Sequence, residues 1–292
     1  MTPKAAKLRQ ILEQPDILVL PGVYDCLGAK LVEQAGFDAV FTSGFGVSAA
    51  ALGKPDYGFL TATEMMYAAS RITAAVDIPL VADIDTGYGN PLNVYRTVTE
   101  LVRHDIAGFI LEDQEWPKKC GHFAGKRVIP MAEHVEKVRA AAEARGDSGL
   151  VMIGRTDARA PCGLDEAITR GHAYYEAGAD VVFIEAPQNI EDLQTIADAF
   201  KGIPLFANMI EGGRTPLLPA EKLQELGCKI VVYPLSGLFS AAAVMGACLQ
   251  HLHEHGTTEG FEGPILSFSE FEQVVEVPKY RAQEDKFDHA AE

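Results

Sequence analysis

The 292-residue chain has no apolar run near the roughly 18 to 20 residues that a helix needs to cross a bilayer, so no membrane span is expected. Cysteine is sparse: Cys26, Cys120, Cys162, Cys228 and Cys248 are widely spread, odd in number and free of any Cys-x-x-Cys spacing. That pattern argues against both a disulfide framework and a zinc site. Positive charge is also short, with 25 Lys and Arg against 41 Asp and Glu, a net charge of −16. Such a surface repels phosphate, which disfavours nucleic acid and anionic membranes as partners. Met1 to Gln14 is charged and lacks the apolar core of a signal peptide, and no Pro/Gly/Ser-rich linker divides the chain. These absences leave a cytoplasmic protein with a single main domain as the expectation.

What is present is an ordinary globular composition, 48% hydrophobic and 23% charged, long enough to bury a large core. One pattern recurs. An amphipathic segment ends in Gly, and a short apolar run follows: Gly36 before Asp38-Ala39-Val40-Phe41, Gly108 before Phe109-Ile110-Leu111, Gly178 before Val181 to Ile184, Gly227 before Ile230 to Tyr233. Glycine just past a helix supplies the left-handed cap, and unbroken apolar runs suit parallel strands buried on both faces. Eight such strands are expected, at 17–20, 38–42, 79–83, 108–112, 150–155, 180–185, 203–207 and 229–233. Helical spacing follows, as in Val94–Arg103, His134–Ala144, Leu164–Ala177, Ile190–Phe200, Ala220–Leu226 and roughly 237–254. Eight βα units in under 300 residues predict an α/β fold, a (β/α)8 TIM barrel, with a doubly wound sheet as the alternative. The barrel domain is read over 1–292, with a helical extension over 257–292 whose apolar stretch, Phe268 to Val277, a barrel does not require.

The ends of the predicted strands carry chemistry. Strand three ends in Asp83-Ile84-Asp85, strand four in Glu112-Asp113, strand five in Arg155-Thr156-Asp157, strand six in Glu185, and strand seven in Asn208 with Glu211 just beyond. A parallel barrel gathers these ends on one face, where active sites of this architecture lie. Two like charges 4 Å apart repel by roughly 4 kcal/mol at an effective dielectric of 20, so the group needs protons or a cation. Asp83, Asp85 and Glu112 form an all-oxygen set suited to Mg²⁺, with Mn²⁺ as the alternative. For any one acid, helix capping or pairing with a strand-end base explains it as well. Arg155, the basic residue at a strand end, is shaped for bidentate capture of a carboxylate or phosphonate, or for an internal bridge to Asp157 or Glu185. Metal and guanidinium together imply a small anionic substrate.

Between strand four and its helix lies a long, basic, Gly-punctuated segment, Gln114 to Arg127, placed as a lid would be. Cys120 sits in it beside Lys118, Lys119 and His122, and neighbouring positive charge is expected to lower its thiol pKa. Such a thiol serves as acid, base or nucleophile; an incidental cysteine in a basic surface loop is the plain alternative.

Lys118-Lys119-Cys120-Gly121-His122 resembles a signature of the isocitrate lyase and phosphoenolpyruvate mutase superfamily, and Asp83-Ile84-Asp85-Thr86-Gly87-Tyr88-Gly89 resembles its metal-site segment. Thr42-Ser43-Gly44, Leu52 to Asp56, Leu111 to Gln114, Arg155 to Ala158 and Tyr233 to Ser236 match in family order across roughly residues 17 to 240. The resemblance implies a Mg²⁺-dependent lyase of 2-oxo or 2-hydroxy acids, with Asp85 the direct metal ligand and Asp83 and Glu112 holding metal-bound waters. It implies substrate binding by Ser43, Gly44, Asp56, Gly121, Arg155, Glu185 and Asn208. It makes Cys120 the acid/base on a closing loop, with Lys118, His122 and Arg155 counted among the catalytic residues. It also implies a homotetramer whose last helices are exchanged between neighbours.

Members with this loop cleave 2-methylisocitrate or 2,3-dimethylmalate, or rearrange carboxyphosphonoenolpyruvate; an oxaloacetate-type decarboxylase or hydrolase is a further alternative. Two departures bear on the choice. Asn208-Met209-Ile210-Glu211-Gly212-Gly213 stands where methylisocitrate lyases have Asn-x-Thr-Glu, and Phe41 stands where they tend to have Tyr. Both weaken the match to methylisocitrate lyases, and the Asn208–Gly213 run resembles the dimethylmalate lyase and phosphonomutase branch.

Other signals are weaker. Gly44-Phe45-Gly46-Val47-Ser48-Ala49 matches a dinucleotide fingerprint, yet no acid ends the next strand about 20 residues on, so an NAD oxidoreductase is a remote alternative. His251, His253 and His255 read as a solvated helix end, since only His251 and His255 share a face. A non-enzymatic acidic barrel would show no Mg²⁺-dependent change in thermal stability.

Overall fold

Strands buried on both faces are required to be apolar throughout, and here the arithmetic of eight such runs closes a ring. The structure is a computed structural model that describes residues 1–288. In chain order it contains α1 (Pro3–Glu13), β1 (Leu18–Val23), α2 (Cys26–Gln34), β2 (Val40–Thr42), α3 (Gly44–Val47), α4 (Ala62–Ala75), β3 (Leu80–Asp83), α5 (Pro91–Arg103), β4 (Gly108–Glu112) and α6 (Met131–Arg145). There follow β5 (Val151–Thr156), α7 (Arg159–Cys162), α8 (Leu164–Glu176), β6 (Val181–Ile184), α9 (Ile190–Ala199), β7 (Leu205–Asn208), α10 (Ala220–Glu225), β8 (Cys228–Tyr233), α11 (Ser236–His255), α12 (Phe268–Val274) and α13 (Val277–Asp288). The strands form a closed parallel barrel in the order β1 to β8, shut by β1 against β8 with Leu18 opposite Ile230 and Pro21 opposite Tyr233. The expected (β/α)8 barrel is the observed fold.

Side chains of alternate strand positions fill the lumen, among them Leu20, Phe41, Ile110, Ile153, Phe183, Phe206 and Val232. The other face of each strand packs against the helices, as Leu80, Phe109, Leu111 and Met152 do with Val94, Val98, Leu101 and Val138. Helix α1, absent from the sequence reading, belongs to the lumen cluster: Leu8 is wholly buried there. Arg9 Nε donates to the Gly149 carbonyl at 2.6 Å and ties the helix to the approach of β5.

Two compact units divide the chain, Met1–Gly237 and the remainder from Leu238. In the second, the stretch expected as one helix over Phe268–Val277 is two, α12 and α13, broken where Glu276 takes φ +60. Ser267 caps α12 in a reciprocal pair with Glu270, which fixes where it starts. Of the extension read over 257–292, residues 289–292 lie outside the described residues. Among the described residues no helix is long and apolar enough to cross a membrane.

Candidate active site

Period-two alternation sorts the strand-end acids. Glu112 and Asp113 are neighbours on β4 and therefore face opposite ways. Asp113 faces outward and is consumed by structure: its carboxylate accepts from the Thr156 hydroxyl (2.7 Å), the Tyr174 hydroxyl (2.7 Å), Arg170 Nη1 (3.0 Å) and the Asp157 backbone N–H (2.8 Å). It pins the end of β5 beside the end of β4, which is what sets Arg155 and Glu112 side by side. Glu211 is also outside the group: it is exposed, and its carboxylate accepts from the Ser236 hydroxyl.

The remaining acids converge at the mouth of the barrel. Both oxygens of Asp83 accept backbone N–H groups, from Gly44 at 3.3 Å and Asp85 at 3.0 Å. A Cβ on Gly44 would stand 2.9 Å from Asp83, so the glycine serves a close approach to a carboxylate. Asp85 and Tyr88 both take the left-handed conformation, at φ +49 and +63, which non-glycine residues adopt at a cost of order 1–3 kcal/mol. Burial, offset in part by Lys118, pushes the Asp85 carboxyl up to about 7. Burial likewise raises Glu112 well above the usual carboxylate range, and neither of its oxygens accepts a hydrogen bond.

Arg155 forms the internal bridges expected of it. It reaches into the mouth, but its guanidinium is paired with Asp157 (2.8 Å), Glu185 (3.0 Å) and Glu112 (3.2 Å). Against the burial that would raise it, Arg155 and His122 hold Glu185 well below its ordinary value. Asn208 Nδ2 donates to Glu185 at 3.3 Å, leaving its buried Oδ1 without a partner. Ser43 uses its hydroxyl to accept the Gly46 N–H at 3.2 Å, capping α3.

The Gln114–Arg127 segment lies over this group. Its base is zipped by Glu115 N–H to the Arg127 carbonyl and by Ile129 N–H to the Asp113 carbonyl, each 2.9 Å. At its tip Lys118 Nζ enters the site, 2.8 Å from Asp56 and 2.6 Å from Asp85. Lys126, which the sequence reading passed over, pairs with Asp157 at 2.7 Å and donates to the Gly121 carbonyl. Gly121 is seated so closely that a Cβ would fall 2.4 Å from Glu185 and 2.5 Å from Arg155.

Cys120 differs from expectation. Burial pushes its thiol up to about 11, because the neighbouring ammonium groups are turned elsewhere, Lys118 to its two aspartates and Lys119 over the Tyr57 ring, and the His122 ring takes the Arg214 N–H. The thiol keeps its proton at neutral pH. It lines a cavity of about 50 Å³ with Ser43, Asp56, Lys118, Arg155, Glu185 and Asn208 on its polar side and Phe45, Ile210, Pro234 and Leu235 on an apolar wall.

The expected three-carboxylate nest is not closed: among the described residues no three His, Cys, Asp or Glu side chains come near enough to hold a metal by themselves. Lys118 stands between two of the acids instead. The donor set still fits a hard cation. Six carboxylates, Asp56, Asp83, Asp85, Glu112, Asp157 and Glu185, meet three fixed cations, Lys118, Lys126 and Arg155, and Glu112 has Arg155 at 3.2 Å but accepts no hydrogen bond. A Mg²⁺ that keeps several waters needs only one or two protein oxygens, which Asp85 and its neighbours provide.

A closed parallel barrel with a charged, lidded pocket at the C-terminal ends of its strands is the architecture of a (β/α)8 enzyme. The phosphoenolpyruvate phosphomutase family model matches residues 8–253, and the chain belongs to that family, within the isocitrate lyase/phosphoenolpyruvate mutase superfamily of lyases and mutases. It is 44% identical over 287 residues to the petal death protein of Dianthus caryophyllus, covering 98% of this chain and 90% of that one. It is 43% identical over 283 residues to the 2,3-dimethylmalate lyase of Eubacterium barkeri, covering 97% and 98%. Among solved structures, oxaloacetate acetylhydrolase in complex with 3,3-difluorooxalacetate superposes with a TM-score of 0.93 at 33% identity, covering 98% and 97% of the two chains. Phosphonopyruvate hydrolase in complex with oxalate and Mg²⁺ does so at 0.88 and 29%, covering 98% and 99%.

Proposed function

We propose that the protein is a Mg²⁺-dependent carbon–carbon lyase that cleaves a branched 2-hydroxy di- or tricarboxylate of the 2,3-dimethylmalate or 2-methylisocitrate type into a 2-oxo acid and a carboxylic acid. The observation that carries this reading is the buried, proton-bearing thiol of Cys120 facing the same cavity as Arg155 and the strand-end acids. Asp85 would hold the ion directly, and Asp83 and Glu112 would hold its waters. When bound, Mg²⁺ would supply Lewis acidity toward the substrate's 2-hydroxyl.

The chain's own groups supply the rest. The Ser43 hydroxyl, at the end of β2 in the cavity lining, accepts from Gly46 and keeps its own O–H to donate to a substrate carboxylate, and Asn208 Oδ1 offers a free acceptor. The 2-hydroxyl proton passes to a neighbouring strand-end carboxylate and the oxygen's electron pair forms the new carbonyl; as the carbon–carbon bond breaks, its electron pair passes to the departing carbon beside the carboxylate, where Arg155 offsets the developing charge. Cys120 gives its proton to that carbon, and the lid excludes the water that would otherwise compete.

The apolar wall of Phe45, Ile210, Pro234 and Leu235 supports an alkyl-bearing substrate over oxaloacetate or phosphonopyruvate, whose bare chains would leave it uncovered. Turnover of 2,3-dimethylmalate, 2-methylisocitrate, oxaloacetate and phosphonopyruvate, followed by proton and phosphorus NMR, tests the assignment. A 2-oxo acid and a carboxylic acid from an alkyl-bearing substrate are expected. Turnover of phosphonopyruvate or oxaloacetate alone would overturn it.

A homotetramer with exchanged terminal helices is proposed with it. No residue of α11 or α12 is buried, and Met245, Leu249, Phe268 and Phe271 stand 44–85% exposed. So much apolar surface on one helical unit is the mark of a covered interface. Light scattering at a mass of one chain would refute it.

A further inference from the structure

His122 is held from two sides. Its Nε2 lies 3.3 Å from Glu185 Oε1, while its Nδ1 accepts the backbone N–H of Arg214 at 2.9 Å. Arg214 Nε returns a hydrogen bond to the His122 carbonyl at 2.8 Å. The two residues are 92 positions apart, one on the lid and one on the loop after β7. An accepting Nδ1 places the neutral ring's proton on Nε2, 3.3 Å from Glu185.

Gly213 makes this contact sterically available. A Cβ there would stand 2.7 Å from His122 Nδ1 and 2.9 Å from its Cε1. Gly212 needs glycine for its φ of +68, whereas Gly213 has no left-handed φ, and the nearest atoms to a Cβ there are those of the His122 ring, with the Ile210 carbonyl of its own loop next at 3.0 Å.

The charged tip contacts end on groups of the site itself, Lys118 on Asp56 and Asp85, Lys126 on Asp157 and Gly121 against Glu185 and Arg155, while Phe123 packs on the Phe45 and Tyr57 rings and the Cys120 N–H donates to the Asp56 carbonyl. Those charges rearrange when an anion and a cation enter. The Arg214 contacts end on a ring nitrogen and a carbonyl turned away from that group, so they persist through the exchange.

We infer that the loop after β7 is the catch of the lid, with Arg214 and Gly213 as positioning residues that act through His122 to set the closed population. This deepens the lyase reading, in which closure brings Cys120 to the substrate, but its test reads the lid directly and is decided whatever the reaction.

Lys118 and Lys126 are 4% and 1% exposed with the lid down, so trypsin cuts after them only when it lifts. In the full-length protein, initial cleavage at these two sites, followed by mass spectrometry, is to be compared with cleavage at Arg170 and Lys137, buried in the barrel. Gly213→Ala should raise lid cleavage on the order of tenfold, the effect of about 1.4 kcal/mol on a two-state closure. Arg214→Ala should raise it several-fold and Arg214→Lys less, with barrel cleavage unchanged in all three. On a turned-over substrate KM should rise more than kcat falls. Wild-type lid cleavage in both Gly213→Ala and Arg214→Ala, or equal rises at lid and barrel sites, would overturn the catch. Failure of every diacid as substrate would overturn the lyase reading alone.

Discussion

Lys118 on the lid and Asp85 after β3 form an ion pair 2.6 Å long, both side chains at most 4% exposed. The ammonium, which Asp85 and Asp56 hold well above its ordinary value despite burial, stands where surplus carboxylate charge calls for a cation. A metal held by Asp85 would therefore compete with the lid for it. Lys118→Met should lower the melting temperature without Mg²⁺, since breaking a buried pair from one side costs about 3–5 kcal/mol, and Mg²⁺ should restore much of the loss. Calorimetric titration should show tighter Mg²⁺ binding than in the wild type. Weaker binding would mean that Lys118 supports the ion site instead of competing for it.

Cys120→Ser keeps the size of the side chain but replaces the thiol with a far weaker acid. Turnover should fall by about 10²- to 10⁴-fold, the usual contribution of one positioned proton donor, while Mg²⁺ binding and melting temperature hold. Because the thiol is pushed up to about 11, its proton is present throughout the neutral range and is lost only as pH rises toward that value. The pH profile of kcat/KM should thus show no alkaline limb from this group below about pH 10, a conclusion that an iodoacetamide alkylation rate equal to that of an exposed thiol at pH 7.5 would contradict.

The barrel and the gathering of Asp83, Asp85, Glu112, Arg155 and Glu185 were legible because both follow from local pattern: apolar runs after glycine, and polar residues where those runs stop. Which of two adjacent acids faces the lumen was not. Glu112 and Asp113 read alike until the strand's alternation is anchored, and Asp113 proves to be a brace between β4 and β5. The direction of the Cys120 shift was misread for a related reason. Three basic neighbours in sequence suggested a lowered pKa, but the Lys118 and Lys119 charges go to Asp56, Asp85 and the Tyr57 ring, and burial prevails. Contacts such as His122 with Arg214 leave no local trace, since they depend on two loops meeting across the barrel mouth.

Specificity should reside in the apolar wall. Ile210 is 8% exposed and lines the cavity with Pro234 and Leu235. Ile210→Ala removes contacts that only an alkyl branch would make, so the ratio of kcat/KM for 2,3-dimethylmalate over malate should drop roughly tenfold or more, in the range that a few methylenes command. An unchanged ratio would place the branch elsewhere in the pocket.

His134 lies wholly buried on α6, its ring 4.5 Å from that of Tyr174 and neither nitrogen hydrogen-bonded. Burial, with Lys137 and Arg170 nearby, lowers its pKa from 6.5 to about 3. The unfolded chain therefore takes up a proton at pH values where the folded chain does not. The neutral ring's contribution is fully present above pH 6.5 and is lost as pH falls from there toward 3, by about 1.4 kcal/mol per unit, or roughly 2 kcal/mol at pH 5. His134→Leu removes the titrating group while keeping an apolar filling against Tyr174. Urea midpoints measured from pH 7.5 to 4.5 should fall less steeply in the variant than in the wild type, and parallel curves would assign the acid sensitivity to other groups.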